Sequence, residues 1–235
     1  ESVRKFKTML TSRFEIRTTV VGSKAEEEEK EGRVLGRIIR VGPNGWEYEA
    51  DQRHAEMILE DTGMRDAKPV ESPGEDEKKW EEEENKRELN SDEATRYRRV
   101  AARCNYLAQD RPDIMYATKE ICRCMSVPTV GGKKKLKRLA RYLKGKPRMV
   151  LKYDWQGEED YVEGFSDSDW AGCRVTGKST SGGVLMVGEH LLKAWSRTQQ
   201  SVTLSSAEAE LVALVKTTAE LMGTISMARD WGECK

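Results

Sequence analysis

Between Gly164 and Leu214 the chain lays down a strand that ends in acids, a hairpin-like stretch, and a helix that opens on further acids, an order that narrows the folds open to it. Along the strand, Tyr161, Glu163, Phe165, Asp167 and Asp169 share one side-chain parity, while Val162, Gly164, Ser166 and Ser168 share the other, because side chains alternate across a sheet. Asp167 and Asp169 therefore leave the strand end on the same side. Glu210 precedes Leu211, Leu214 and Val215 at helical spacing, which predicts an apolar face packed on the sheet with the carboxylate at its rim. Carboxylates meeting there suit a hard cation such as Mg²⁺, which takes oxygen ligands and keeps water and substrate phosphates among them. A pair of such ions on a scissile phosphate can activate water and stabilise the leaving oxygen. The acids have a simpler reading too, since Glu208 and Glu210 suit the first turn of a helix through its dipole alone.

Upstream, Val3 to Phe14 has helical periodicity, Phe14 to Val21 alternates like a strand, and Glu26 to Lys30 is a charged loop. Val34 to Val41 and Trp46 to Ala50 flank Gly42 to Gly45, a turn signal that predicts a hairpin. Asp51 can then cap a helix carrying Ala55, Ile58 and Leu59 and ending near Gly63. Lys68 to Asn90 is rich in Glu, Pro and Lys, so it reads as a flexible linker with too little apolar surface to offset its ordering entropy. Trp80, its one large apolar residue, reads as a surface aromatic. Helices are expected from Ser91 or Asp92, from Pro112, and over a basic stretch after the breaks at Pro128 and Gly131-Gly132. Met149 to Tyr153, Tyr161 to Asp167, Gly183 to Val187 and Leu191 to Ser196 read as an antiparallel meander covered on one face by the Glu210 helix. The class is α+β, divided into residues 1–67, 68–90, 91–147 and 148–235.

Lys+Arg and Asp+Glu both number 41, so no overall basic excess announces a nucleic-acid partner. The distribution says more: Glu71 to Glu84 is acidic, whereas Lys133, Lys134, Lys135, Lys137 and Arg138 open a basic run reaching Arg148. That run either tracks phosphates or is the solvated face of a helix whose core stripe is Leu136, Leu139, Ala140 and Leu143. Lys178-Ser179-Thr180 either contacts phosphate or satisfies its own turn. The cysteines lack paired zinc spacing and read as reduced thiols. No apolar run is read as membrane-spanning and no secretory signal is seen, which points to a cytoplasmic or nuclear setting without membrane contact.

Several blocks agree on a family. Ser166-Asp-Ser-Asp-Trp-Ala-Gly172, Lys178-Ser-Thr-Ser-Gly-Gly183, Ala194-Trp-Ser196, Gln199-Gln200 and Ser205-Ser-Ala-Glu-Ala-Glu-Leu211 resemble, in that order, the RNase H domain of copia-type retrotransposon Pol polyproteins. Tyr97-Arg-Arg99 and Tyr106 to Ile114 resemble the segment following the reverse-transcriptase palm, and Leu35-Gly36 with Asp51-Gln52-Arg53 resembles the end of that palm. The resemblance implies a palm end, a helical connection and a truncated RNase H-like sheet with one packing helix.

It makes Asp167 the first metal carboxylate and Glu210 the second, with Glu208 as the alternative and Asp169 as an orienting or capping acid. The cofactor implied is Mg²⁺ (or Mn²⁺), held fully only by a complete site. RNase H domains need two further acids from a later strand and helix, and neither Asp230 nor Glu233 matches them; the paired Asp of reverse transcriptases is also absent. The expectation is a Pol fragment, inactive alone, whose partners are an RNA·DNA hybrid and the remainder of Pol. A non-catalytic nucleic-acid-binding remnant, or a decayed interaction module, is the alternative.

Overall fold

The computed structural model describes residues 2–24, 28–75, 82–157, 159 and 161–230. Trp80 and Glu233, named above, lie outside them. A helix α1 (Ser2–Thr11) leads through an irregular stretch into strands β1 (Glu31–Val34), β2 (Arg37–Val41) and β3 (Gly45–Glu49). The segment from Val34 to Val41 is not one strand as expected. Leu35 and Gly36 both take positive φ, 50° and 83°, and turn β1 back on β2, the two-residue geometry whose twist suits a hairpin. Phe14 to Val20 forms no strand; only Val21 makes an isolated bridge, to Glu29.

Helix α2 (Gln52–Thr62) begins and ends as the sequence predicts. Asp51 accepts from the Arg53 amide, and Gly63 closes the helix in the left-handed region at φ 68°. After a short helix α3 (Glu82–Lys86) come α4 (Ser91–Leu107), capped by Asn90, a 3-10 turn at Pro112–Ile114, α5 (Met115–Arg123) and α6 (Val130–Gly145). Gly131 and Gly132 do not break the chain; they form the first turn of α6, capped by Thr129, and both are buried. A Cβ on Gly132 would sit 3.0 Å from the Tyr97 hydroxyl and 3.1 Å from Cys124, so these glycines serve close helix approach.

The main core lies among α2, α4, α5 and α6, where Ile58, Val100, Cys104, Ile114, Ile121, Leu139 and Leu143 are at most 1% exposed. Arg111 is equally buried and is fully employed. It donates to Asp113 at 2.7 and 2.9 Å and to the carbonyls of Lys146 and Pro147 at 3.0 and 3.4 Å. Tyr142 adds a hydrogen bond to the same Asp113 carboxylate. The Arg111-Pro112-Asp113 block thus clamps the end of α6.

Strand β4 (Val150–Asp154) departs from the expected meander. It joins β3, with Trp46 opposite Tyr153 and Tyr48 opposite Leu151, so the first sheet runs β1-β2-β3-β4. The reason is electrostatic as well as apolar. Glu49, 1% exposed, accepts from Arg148 just before β4 at 2.6 and 2.8 Å and from Arg40 at 2.7 Å. These guanidinium contacts, Arg148 foremost, hold the Glu49 carboxyl below its usual range.

The second sheet is β5 (Glu163–Asp169), β6 (Thr180–Val187) and β7 (His190–Thr198), antiparallel in that order, with α7 (Ser206–Asp230) across it. The two sheets meet where Tyr153 donates to the Leu191 carbonyl at 3.1 Å.

The face that α7 turns to the sheet is not the expected one. Leu211, Leu214 and Val215 are 59, 53 and 62% exposed, whereas Ala209, Ala213 and Thr217 are buried. The cause is Gly164, whose absent Cβ would stand 2.8 Å from both Thr217 and Leu221. A bare strand position draws in the small-residue face of the helix, because large side chains would hold the backbones apart.

By length and composition α7 is long and apolar enough to cross a membrane, the one such helix among the described residues. The apolar run was not legible as one because Lys216 and Glu220 interrupt it. Both belong to an ion-pair set in which Lys193 of β7 reaches Glu220 at 2.5 Å and Lys216 reaches it at 2.7 Å.

That set has a pH signature. The hydrogen bond from Lys193, then that from Lys216, lowers the Glu220 carboxyl from 4.5 to about 2. A carboxyl depressed in the folded state stabilises the fold above its unfolded pKa and loses that contribution as pH falls through the folded value. Thermal midpoints of the wild type should therefore fall more steeply than those of Glu220→Gln between pH 4.5 and about 2. Parallel curves would show that these pairs add nothing to stability.

Candidate metal and nucleic-acid sites

Glu210 reaches the backbone of β5 beside Asp167. Among the described residues β5 pairs with β6 alone, and the Ser168 amide, beside Asp167, donates to the Glu210 carboxylate at 3.2 Å. Both acids are exposed. The other two acids are employed locally. Glu208 accepts from the Leu204 amide at 2.7 Å while its own amide donates to the Ser205 hydroxyl at 3.2 Å, a reciprocal capping box. Asp169 folds over the turn that follows, so that a Cβ on Gly172 would overlap its carboxylate. Glu208 thus caps α7, while Glu210 bonds to β5 through the Ser168 amide.

A buried polar network sets the approach of α7. The Ser179 hydroxyl accepts from the Ala171 amide at 3.0 Å and shares a hydrogen bond with Thr203 at 2.9 Å. Gln199, 5% exposed, donates from Nε2 to the Ser181 hydroxyl at 3.0 Å and to the Ala209 carbonyl at 2.9 Å. These residues hold β6, β7 and the first turn of α7 in one frame. Sequence reasoning left Ser179 between a phosphate contact and its own turn and gave Ser181, Gln199 and Thr203 no role; the signal available was the run of hydroxyl and amide residues in otherwise apolar strands. Lys178 sits beside this network; the Ser179 hydroxyl is spent on the Ala171 amide and Thr203, and the Thr180 hydroxyl accepts from the Lys119 ammonium at 2.7 Å.

Trp195 is buried against Gly183, and Trp170, half exposed, donates its indole N–H to the Thr203 carbonyl at 3.2 Å. Cys173 lies where α5 meets the second sheet. Burial raises its thiol, but hydrogen bonds from Thr176 and Arg123 outweigh this and leave it below the usual value.

Asp167 and Glu210 offer only oxygen donors, the kind a hard cation takes together with water and phosphate ligands. They do not by themselves fit two such ions. Among the described residues no group of three or more His, Cys, Asp or Glu side chains could hold a metal ion.

The basic helix is less open than its sequence suggests. Lys133 meets Glu93 at 2.5 Å, Lys134 meets Glu84 at 2.5 Å, and Arg138 meets Glu75 at 2.8 Å. Lys135 is also engaged, and Lys137 is exposed. Leu136, Leu139 and Leu143 are buried beneath them.

Comparison with known proteins places these elements in a wider setting. An uncharacterized mitochondrial protein of Arabidopsis thaliana is 35% identical over 204 residues, covering 83% of this chain and 80% of that protein. The retrovirus-related Pol polyprotein from transposon RE1 of Arabidopsis thaliana is 35% identical over 140 residues, or 59% of this chain. That from transposon RE2 of the same plant is 32% identical over 189 residues, or 78% of this chain. The chain spans only 9% and 12% of the length of those two polyproteins. No family model matches the chain, and no solved structure matches it. With relatives of 32–35% identity matching up to 83% of its residues, the chain belongs to the family of copia-type retrotransposon Pol polyproteins.

Proposed function

We propose that this chain is a Pol segment that engages an RNA·DNA hybrid, with the end of a reverse-transcriptase palm in the first sheet and an RNase H-like unit in the second. The observation that carries the reading is the Glu210 carboxylate bonded to the Ser168 amide beside Asp167. That bond supports the reading by bringing the helix acid to the strand residue that follows Asp167. Asp167 and Glu210 would hold Mg²⁺ (or Mn²⁺), which when bound supplies Lewis-acid stabilisation of charge on the phosphate. Ser168 orients Glu210, and Gln199, Ser179 and Thr203 keep α7 at the height where that bond forms. The α6 cations would track the hybrid's phosphates. Further acids are needed for two-ion chemistry, so on this reading the chain binds hybrid and contributes to hydrolysis only beside the rest of a Pol protein, in the cytoplasm or nucleus.

The test is Mg²⁺-dependent cleavage of a labelled RNA strand in a hybrid, measured for this chain and for a longer Pol protein containing it. Cleavage in the longer protein alone is the expected result. Cleavage in neither, with hybrid still retained at low salt, would leave a binding-only remnant. Failure of both to retain hybrid would remove nucleic acid from the account.

The two candidate helix acids separate in the same system. Glu210→Gln should abolish cleavage by the longer protein with little change in folding. Glu208→Ala should cost about 1 kcal/mol of stability through the lost cap and leave Mg²⁺ dependence unchanged. The reverse pattern in melts and cleavage assays would exchange the two roles.

A further inference from the structure

Two described stretches of acidic chain, 68–75 and 83–93, lie along the cationic side of α6. At the C-terminal end, Arg141 donates to the Lys68 carbonyl at 2.7 Å, and Lys146 stands 3.7 Å from Glu71. Further up the helix Arg138 meets Glu75 at 2.8 Å, then Lys134 meets Glu84 at 2.5 Å and Lys133 meets Glu93 at 2.5 Å. The acids rise in number as the cations fall, so the two described stretches succeed each other antiparallel to a helix of 16 residues, about 24 Å long. Both ends are fastened. Pro69 lies against Gly145, and near the start of α6 the Leu89 amide donates to Pro128 while the Val130 amide donates to Arg87, both at 2.9 Å.

A spaced row of carboxylates on a cationic helix occupies the groups that a phosphate row would use. We propose that this acidic stretch is an intramolecular competitor for nucleic acid, an autoinhibitory strap that an RNA·DNA hybrid must displace from α6. The inference rests on the reading of α6 as a phosphate-tracking helix. Magnitudes make displacement feasible. Arg138 is 24% and Glu75 51% exposed, and Lys134 is 51% and Glu84 29% exposed; solvent-exposed pairs of this kind are individually weak and screened by salt. A hybrid gains in addition from counterion release. The Arg138 Nε, shielded from solvent, has no hydrogen-bond partner among the described residues, so the guanidinium retains donor capacity that Glu75 leaves unused.

The experiment compares hybrid binding by the wild type, by Glu71→Gln/Glu75→Gln/Glu84→Gln, and by a control of equal charge change, Glu15→Gln/Glu56→Gln/Glu189→Gln. Fluorescence anisotropy of a labelled RNA·DNA hybrid across a salt series is the readout. The strap variant should bind about tenfold tighter than the control at low salt, the sum of three weak pairs. The advantage should shrink as salt rises, because salt also loosens the strap of the wild type. Adding Lys134→Gln/Arg138→Gln to the strap variant should remove the gain.

Equal affinities for strap variant and control would overturn the strap. The α6 reading would survive that result if Lys134→Gln/Arg138→Gln in the wild type still weakened binding. A gain insensitive to the α6 substitutions, or no hybrid binding by any variant, would overturn both.

Discussion

Replacing Asp167 by Asn is expected to weaken Mn²⁺ binding at the end of β5 by about ten- to a hundredfold, at least the loss seen when a metal site's supporting partners are removed. Asn keeps the shape and loses the charge. Because Asp167 is exposed and its β-ladder position opposite Gly182 is made by backbone, the fold should be indifferent to the change. Mn²⁺ titrations followed by water-proton relaxation give the affinity, and a thermal melt on the same sample reports folding. If Asp167→Asn binds Mn²⁺ as the wild type does, the proposed metal corner is misassigned, whatever the longer Pol protein cleaves.

The second large effect is structural. Arg111→Ala should cost about 3 kcal/mol, since removing one partner of a buried ion pair leaves the other charge poorly compensated. Arg111 is 1% exposed and also satisfies the carbonyls of Lys146 and Pro147 at the end of α6. For a chain of this size that cost lowers the melting midpoint by about 6–12 °C. Arg111→Lys should recover only part of it, because an ammonium cannot make the two-pronged contact to Asp113. A midpoint within about 2 °C of the wild type for Arg111→Ala would mean that α6 does not depend on this clamp.

Local chemistry was legible wherever one or two residues settle the backbone. Asp51 and Gly63 bracket α2, Pro112 opens the turn before α5, and Gly42 to Gly45 joins β2 to β3. The order of blocks from Tyr97 to Leu211 pointed to the Pol family before any geometry was known, and the curated relatives bear that out. Less was legible where two segments distant in sequence choose each other. β4 carries no mark that selects β3 over β5; the choice rests on Glu49 receiving Arg148 across 99 residues. Gly131-Gly132 looked like a break because glycine is a poor helix former, yet tertiary packing against Tyr97 and Cys124 overrides that preference.

The sequence by itself determined the α+β class, both ends of α2, the central hairpin, the family, and the set of acids and cations worth considering. All of these depend on residue identity and near-neighbour spacing. Only the tertiary structure decided that Ala209, Ala213 and Thr217 rather than Leu211, Leu214 and Val215 face the sheet, since that depends on the missing side chain of Gly164. It also decided which acid caps α7 and which reaches β5, and it laid the acidic stretch against the basic helix. A charge pattern states what a segment can pair with, and the fold determines which partner arrives within reach.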